Sequence, residues 1–205
     1  MSKADEQTDD YTLWREFRNG SHQAFGIIYS KFFPALYNYG RKFTPQTDLI
    51  EECAQQLFVE LWQTRQRLSD VSTIRPYLYK SFRRKLLKNI TVSSAVAYLD
   101  SHLQSFSVEV SREMEIMYAE RTDVQSKILN EALKSLSDRQ REVIFLKFYD
   151  QLSYAEISVI MGCNAKVAYD LVFKAIKKMR TFIPKKEFIL FSTVTLAYII
   201  SCFIF

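Results

Sequence analysis

The chain has 205 residues, of which 48% are hydrophobic and only four each are glycine and proline, a composition typical of one or two compact, mostly helical domains. Its formal net charge is +5. Neither the three cysteines nor the two histidines have metal-ligand spacing, and no glycine-rich phosphate loop is present. We therefore expect a protein that is not an enzyme, with no catalytic residue, no metal site and no cofactor.

The first strong helical pattern runs from Asp48 to Gln63 and follows a polar N-terminal stretch that does not resemble a secretory signal. Its apolar residues recur every three or four positions, and an acidic, amide-rich face lies opposite. Such a face suits a protein partner better than phosphate, although an ordinary solvated face explains it equally well. The apolar stripe is Ile50, Cys53, Ala54, Leu57, Phe58 and Leu61, and the outer face is Glu51, Glu52, Gln55, Gln56 and Glu60.

The next segment, IRPYLYKSFRRKLLKNI, covers residues 74–90 and mixes aromatic with basic residues. Pro76 can open a helix there. Aromatic rings can stack on unpaired bases while cations follow the phosphates, so the segment predicts a surface that binds single-stranded nucleic acid. The alternative is that its rings belong to the core. The residues concerned are Tyr77, Tyr79 and Phe82, with Arg75, Lys80, Arg83, Arg84, Lys85 and Lys88.

The charge along the chain alternates in sign. Residues 1–90 carry 14 basic and 10 acidic side chains, residues 91–125 carry 2 and 6, and residues 126–187 carry 12 and 7. Two basic lobes joined by an acidic, serine-containing linker are typical of two modules that face nucleic acid. A solvated acidic linker without function is equally compatible with the pattern.

The segment from Leu136 to Arg180 predicts a helix-turn-helix. Its first helix contains Val143, Ile144, Leu146 and Phe148 and closes at Leu152. Ser153 and Glu156 then form a capping-box pattern, Gly162 supplies a left-handed turn, and Asn164 can cap the last helix. In that helix Ala168, Leu171, Val172, Ala175, Ile176 and Met179 face inward, whereas Ala165, Lys166, Tyr169, Asp170, Phe173, Lys174, Lys177 and Lys178 face outward. An exposed helix of this kind can enter a major groove, but an ordinary helical hairpin has the same spacing.

Two further features bear on where the chain works. Cys53 and Cys163 lie in or beside apolar stripes, which favours buried, reduced thiols in a cytoplasmic protein. Residues 188–205 are an uncharged run of 18 residues that follows Lys185 and Lys186. This hydrophobic C-terminal helix either contacts or spans the inner membrane as an anchor, or folds back onto the DNA-binding domain.

The order of these parts resembles the extracytoplasmic-function (ECF) sigma factors of bacterial RNA polymerase. AFGIIYSKFFPALYNYGRKF and DLIEECAQQLFVELW are similar to the first two conserved parts of their promoter-melting domain. IRPYLYKSFRRKLLKNI is similar to the segment that opens the minus-10 element, and LKSLSDRQREVIFLKFYDQLSYAEISVIMG to the C-terminal domain before its recognition helix. MGCNAKVAYDLVFKAIKKMR is similar to the form in Bacteroidetes-type bacteria.

The resemblance implies an all-α fold with two helical domains joined by a linker, and the hydrophobic tail after them. It implies a region 2-like domain at 1–90, a linker at 91–125, a region 4-like helix-turn-helix at 126–181 and the tail at 182–205. The partners implied are core polymerase, through the clamp helices of its largest subunit, and promoter DNA. An anti-sigma protein is a further candidate partner.

The resemblance also implies which residues serve each partner. Core polymerase would dock on Asp48, Glu51, Glu52, Gln55, Gln56 and Glu60. The minus-10 element would meet Tyr77 and Tyr79 as stacking rings, with Lys80, Arg83, Arg84, Lys85 and Lys88 as cations. The minus-35 element would meet Ser153, Asn164, Lys166, Tyr169, Asp170 and Lys174.

Two other functions remain open on the sequence alone. A free-standing helix-turn-helix regulator would bind duplex DNA without polymerase, but it has no need of the acidic helix or the basic aromatic segment. A membrane-tethered adaptor would depend on the tail, and its DNA-binding residues would have no effect on transcription.

Overall fold

A computed structural model describes residues 3–96, 106 and 123–182, with side chains from 10–91, 106 and 128–182. Over these ranges the chain forms α-helices joined by short turns, and no strand occurs among them. A 3₁₀ turn, Arg65–Arg67, and a π-helical turn, Phe145–Tyr149, also occur. The helices are α1 (Lys3–Arg18), α2 (His22–Gly40), α3 (Thr47–Thr64), α4 (Ile74–Val96), α5 (Asp123–Lys134), α6 (Asp138–Ile144), α7 (Tyr154–Met161) and α8 (Ala165–Met179).

The described residues divide into two compact units. The first contains α1–α4 and Phe106, and residues 155–164 group with it. The second contains α5, α6, the π-helical turn and α8. The predicted all-helical fold is therefore confirmed over the described part of the chain.

The core of the first unit forms where α2, α3 and α4 pack against one another. Each helix contributes an apolar stripe at helical spacing, so packing rather than intrinsic propensity fixes their arrangement. The stripe predicted for α3 is confirmed, since all six of its residues are buried. Those of the other two helices are Ala24, Ile28, Phe32, Leu36 and Tyr39 in α2, and Ile74, Leu78, Tyr79, Phe82, Leu86 and Ile90 in α4.

Helix α1 holds the start of α4 in place. Its Trp14 and Phe17 are fully buried, and the Trp14 indole Nε1 donates a hydrogen bond to the Ser69 carbonyl at 3.0 Å. The buried Asp10 carboxylate accepts a hydrogen bond from the backbone N–H of Ile74 at 3.1 Å. The first backbone N–H groups of a helix have no acceptor within the helix, and here a residue 64 positions earlier in the sequence supplies one.

Gly40 lies in close contact with side chains of α3 and α4, and it provides a stability prediction. A Cβ atom there would lie 2.7 Å from Ile50 Cγ2 and 3.0 Å from Phe82 Cζ. We therefore expect Gly40→Ala to lower the free energy of unfolding of the first unit by about 1–3 kcal/mol, because the core would be overpacked.

Gly26, in the same helix, is the matched control. A Cβ atom there would meet nothing within 4 Å. Gly26→Ala should stabilise the helix by about 0.5–1 kcal/mol, because alanine has less backbone freedom to lose on folding. Urea unfolding followed by circular dichroism measures both variants, and equal effects of the two substitutions would contradict the packing described here.

The second unit is built on a capped helix. The Ser137 hydroxyl accepts from the backbone N–H of Gln140, whose side chain accepts in turn from the backbone N–H of Ser137. This capping box starts α6, which packs on α8. The Nζ of Lys178, near the end of α8, donates to the Ser135 carbonyl.

The π-helical turn leaves one apolar residue of this helix outside the core. Phe148 is 44% exposed. The Asp150 N–H bonds back five residues to the Phe145 carbonyl, which shifts the helical register, so Phe145 is buried instead. Val143, Ile144, Leu146 and Leu152, the other apolar residues named for this helix, are buried.

The expected linker and tail are described only in part. Helix α4 continues to Val96, six residues past the predicted domain boundary, and Phe106 is buried with its ring centroid 4.8 Å from that of Phe43. Within residues 3–96, 106 and 123–182, no helix is long and apolar enough to cross a membrane. The predicted membrane contact through residues 188–205 lies outside the described residues.

Candidate polymerase and nucleic-acid interfaces

The acidic side of α3 faces solvent, as the sequence predicts. All five residues of the predicted outer face are exposed, and so is Asp48 in the first turn of the helix. Gln56 Nε2 donates to Glu52 Oε1 at 2.9 Å, which keeps two of these side chains side by side. The result is an acidic and amide surface on a helix whose other side is fully buried.

Fewer basic side chains of α4 are exposed than the sequence predicts. Lys80, Arg84 and Lys88 are exposed and stand four residues apart, so they form one row along the helix. Arg83 is half-buried. Lys85 is also half-buried, and its Nζ lies 2.7 Å from Glu60 Oε1 on α3. Lys85, which was predicted to contact DNA, and Glu60, which was predicted to contact polymerase, therefore form an ion pair with each other. Such a pair contributes little to the free energy of folding where it is exposed to solvent.

Tyr79 does not fit its predicted role as a stacking ring. It is fully buried, with its ring centroid 5.0 Å from that of Tyr39, so no base can reach it in this fold. The reason is its place in the apolar stripe of α4, three residues before Phe82 and seven before Leu86. Tyr79 is a core residue.

Tyr77 remains a candidate for stacking because it is only half-buried. Its ring meets the Trp14 ring edge-on, at 5.4 Å between centroids. Burial raises the pKa of the Tyr77 hydroxyl, while a hydrogen bond from Ser81 and the charge of Arg84 act in the opposite direction. The hydroxyl is therefore neutral at physiological pH, and it lies close enough to Arg84 of the α4 row to feel its charge.

Cys53 is a buried free thiol, as predicted, and packs between α3 and α4. Asn89 Nδ2 donates to its sulfur at 3.1 Å. Burial is the largest effect and raises the pKa of the thiol, so the sulfur is protonated and unreactive at neutral pH. Cys163 is free but half-exposed, and Cys202 lies outside the described residues.

Helix α8 exposes the face that the sequence predicts. Gly162, with φ +63°, makes the left-handed turn before it. Ala168, Val172 and Ala175 are buried, and Leu171, Ile176 and Met179 are half-buried. Of the candidate minus-35 residues, Asn164, Lys166, Tyr169 and Lys174 are exposed, whereas Ser153 and Asp170 are half-buried.

Aromatic rings form a row on this surface. Tyr169 and Phe173, 50% and 57% exposed, stack with 6.4 Å between centroids. The ring centroids of Tyr154 and Tyr169 lie 5.3 Å apart, and the Lys147 ammonium lies 4.7 Å from the centroid of the Tyr154 ring. Burial, and to a lesser degree Tyr169, raises the pKa of Tyr154. Sequence reasoning placed Phe173 outward but gave it no function, although an exposed phenylalanine next to a lysine is itself a signal.

Among the side chains described, no group of three or more histidine, cysteine or carboxylate residues could hold a metal ion. The chemistry that the exposed surfaces offer is recognition: an acidic face on α3, a row of cations and one half-buried ring on α4, and a basic aromatic face on α8.

Two family models match this chain. The model for sigma-70 region 2 matches residues 28–94, which include α3 and most of α4. The model for sigma-70, region 4, matches residues 126–179, which include both helices of the helix-turn-helix. Together they account for more than half of the chain.

Relatives and solved structures agree with the models. The chain is 23% identical to the ECF RNA polymerase sigma factor SigK of Mycobacterium ulcerans (strain Agy99), over 85% of this chain and 94% of that protein. It is 24% identical to the RNA polymerase sigma factor SigV of Bacillus subtilis (strain 168), over 76% and 86%.

The fold is similar to that of CnrH in complex with the cytosolic domain of CnrY, with a TM-score of 0.56, 21% identity and coverage of 84% of this chain and 95% of that one. It is equally similar to the sigma factor RpoE in complex with the anti-sigma factor NepR from Bartonella quintana, with a TM-score of 0.56, 20% identity and coverage of 77% and 95%. The chain thus belongs to the sigma-70 family and is an RNA polymerase sigma factor of the ECF type.

Proposed function

We propose that this sigma factor docks on core polymerase with the outer face of α3, holds the unpaired minus-10 strand on α4 and reads the minus-35 element with α8. The observation that carries the proposal is the placement of an exposed acidic face and an exposed basic row on adjacent helices of one bundle. A surface of each sign on rigid neighbouring helices lets one unit bind a protein and a polyanion side by side.

The acidic face is proposed to meet the clamp helices of the largest polymerase subunit. Charge complementarity across such an interface guides encounter and excludes wrong partners. Glu51, Glu52, Gln55 and Gln56 are the primary contacts, with Asp48 at one end of the face and Glu60 at the other.

The basic row is proposed to hold the single strand. Lys80, Arg84 and Lys88 would follow the phosphates, and a base freed from the duplex would stack on the ring of Tyr77. Stacking on an aromatic side chain is worth about 1–3 kcal/mol per base, which is comparable to the cost of unstacking that base.

Helix α8 is proposed to enter the major groove, where Lys166 and Lys174 neutralise phosphates. We expect the double variant Lys166→Gln, Lys174→Gln to reduce the salt dependence of duplex binding by about 0.9 per lost contact in the slope of log K against log salt. Binding of a labelled minus-35 duplex, measured by anisotropy over a salt range, tests this. Lys134→Gln is the matched control, because Lys134 is equally exposed but pairs with Glu131; an equal loss of slope in the control would contradict the assignment.

Residues 1–90 would carry the polymerase and minus-10 functions, and residues 126–181 the minus-35 function, in a cytoplasmic protein that catalyses no reaction itself. The Bacteroidetes-like form of residues 161–180 predicts better initiation with core polymerase from that group than with core from other bacteria. Since both solved structures above are complexes, one explicitly with an anti-sigma factor, we propose an anti-sigma protein as a further partner.

The experiment that tests the proposal separates recruitment from opening. Permanganate footprinting of promoter complexes detects unpaired thymines, and a gel shift of the same complexes detects closed binding. Lys80→Gln, Arg84→Gln should abolish permanganate reactivity while closed complexes still form through α8. Retained opening in this variant would refute the role of α4, and DNA binding that never requires core polymerase would favour a free-standing regulator.

A further inference from the structure

A polar pocket lies where α1 ends, beside the loop that follows α3. It has a volume of about 390 Å³ and is lined by Arg15, Arg18, Asn19, Gln66 and Asp70. All five side chains are polar or charged, so no flat apolar wall is available on which a nucleobase could stack. The pocket is suited instead to a small charged group.

The charges in the pocket favour an anion. The Asp70 carboxylate is already neutralised by its ion pair with Arg18. Within the described residues no acidic side chain pairs with Arg15, whose guanidinium lies 5.7 Å from the centroid of the Tyr11 ring. The Nε–H of Arg18 is buried and meets no acceptor among the described residues. Hydrogen-bond donors thus outnumber acceptors, and guanidinium groups recognise phosphate with particular strength.

The pocket is close to the surface proposed to hold the single strand. Trp14 precedes Arg15 in α1, and its ring contacts Tyr77 at 5.4 Å between centroids. The same indole bonds to the Ser69 carbonyl in the loop that contains Gln66 and Asp70. Arg18 follows Trp14 by four residues, or about 6 Å along the helix. Trp14 thus connects Tyr77 both to the helix that carries Arg15 and Arg18 and to the loop that lines the pocket.

We propose that this pocket binds a backbone phosphate of the unpaired promoter strand, next to the nucleotide at Tyr77. Arg15 is the main contact, Asn19 and Gln66 supply further donors, and Arg18 is positioned by Asp70. The inference rests on the proposed function, since it requires that α4 binds the single strand. It extends the DNA surface from α4 onto α1, a helix outside the residues that match the region 2 model.

The test is the salt dependence of single-strand binding by the full chain, with a fluorescein-labelled oligothymidine as the probe. Loss of one phosphate contact should reduce the slope of log K against log salt by about 0.7. Arg15→Gln is expected to show this reduction, with affinities that converge with those of the wild type at high salt. Arg41→Gln, which removes an exposed arginine at the end of α2, is expected to keep the wild-type slope. Thermal melting verifies that both variants fold.

The Lys80→Gln, Arg84→Gln variant separates failure of this inference from failure of the proposed function. If it lowers the slope and Arg15→Gln does not, the pocket assignment alone is overturned. If neither variant changes the slope, or the wild type does not bind the probe, single-strand binding by α4 is refuted and the pocket assignment with it. If Arg15→Gln changes only the affinity for core polymerase, the occupant is an acidic protein surface and the phosphate assignment is overturned.

Discussion

Replacing Tyr79 by alanine is expected to destabilise the first unit by about 3–5 kcal/mol, because a fully buried aromatic side chain leaves a cavity that the surrounding helices cannot close. In a domain of this size each kcal/mol lowers the melting temperature by about 4–8 °C, so the expected fall exceeds about 12 °C. Differential scanning calorimetry of the purified chain measures it. Tyr79→Phe keeps the ring and should cost no more than about 1.5 kcal/mol.

Tyr77→Ala is the contrasting variant. Tyr77 is half-buried against the Trp14 edge, so its loss should cost only about 1–2 kcal/mol of stability. Promoter opening should fall by about 5- to 150-fold if one base stacks on this ring, because such stacking is worth about 1–3 kcal/mol. A Tyr79→Ala protein with wild-type melting temperature but defective opening would show that Tyr79, not Tyr77, contacts DNA.

Reversing the charge of Glu51 and Glu52 is expected to weaken binding to core polymerase by about 100-fold or more, because like charges brought together in an interface cost several kcal/mol. Both side chains are exposed and neither belongs to the buried stripe of α3, so the Glu51→Lys, Glu52→Lys variant should fold normally. Anisotropy of the labelled chain titrated with core polymerase gives the Kd. The effect should shrink as salt rises, since exposed charges are screened.

The control for this variant carries the same charge change elsewhere. Glu16 on α1 and Glu131 on α5 are both exposed and lie outside the α3 face. Glu16→Lys, Glu131→Lys should leave the Kd within a few-fold of the wild-type value. Equal weakening by both double variants would mean that net charge, and not the α3 face, determines binding.

The amphipathic helices could be predicted from the sequence because one periodic stripe decides which side is buried. In α3 all six predicted inward residues are buried and all five outward residues are exposed. In α8 the exposed lysines and aromatic residues also match the predicted face. Burial of an apolar stripe is the dominant local signal, so this much of the candidate surfaces follows from spacing alone.

The structural features that could not be predicted from the sequence depend on contacts between distant residues or on irregular backbone. The Asp10 carboxylate caps α4 although the two are 64 residues apart in the sequence, and no local sequence pattern predicts such a contact. The π-helical turn at Phe145 moves Phe148 outward by inserting an extra residue into the helical period. The burial of Tyr79, in contrast, follows from local spacing, because its distance in sequence from Phe82 and Leu86 places it in the α4 stripe.

Abortive transcription tests the central claim most directly. Purified core polymerase from the source bacterium is mixed with a panel of genomic promoter fragments and either the full chain or a chain ending at Arg180. We predict short transcripts from a subset of fragments that appear only when the chain is added, and that disappear with the Lys80→Gln, Arg84→Gln variant. No transcript with either form, while the chain still binds those duplexes, would contradict the assignment of these surfaces to promoter opening by polymerase.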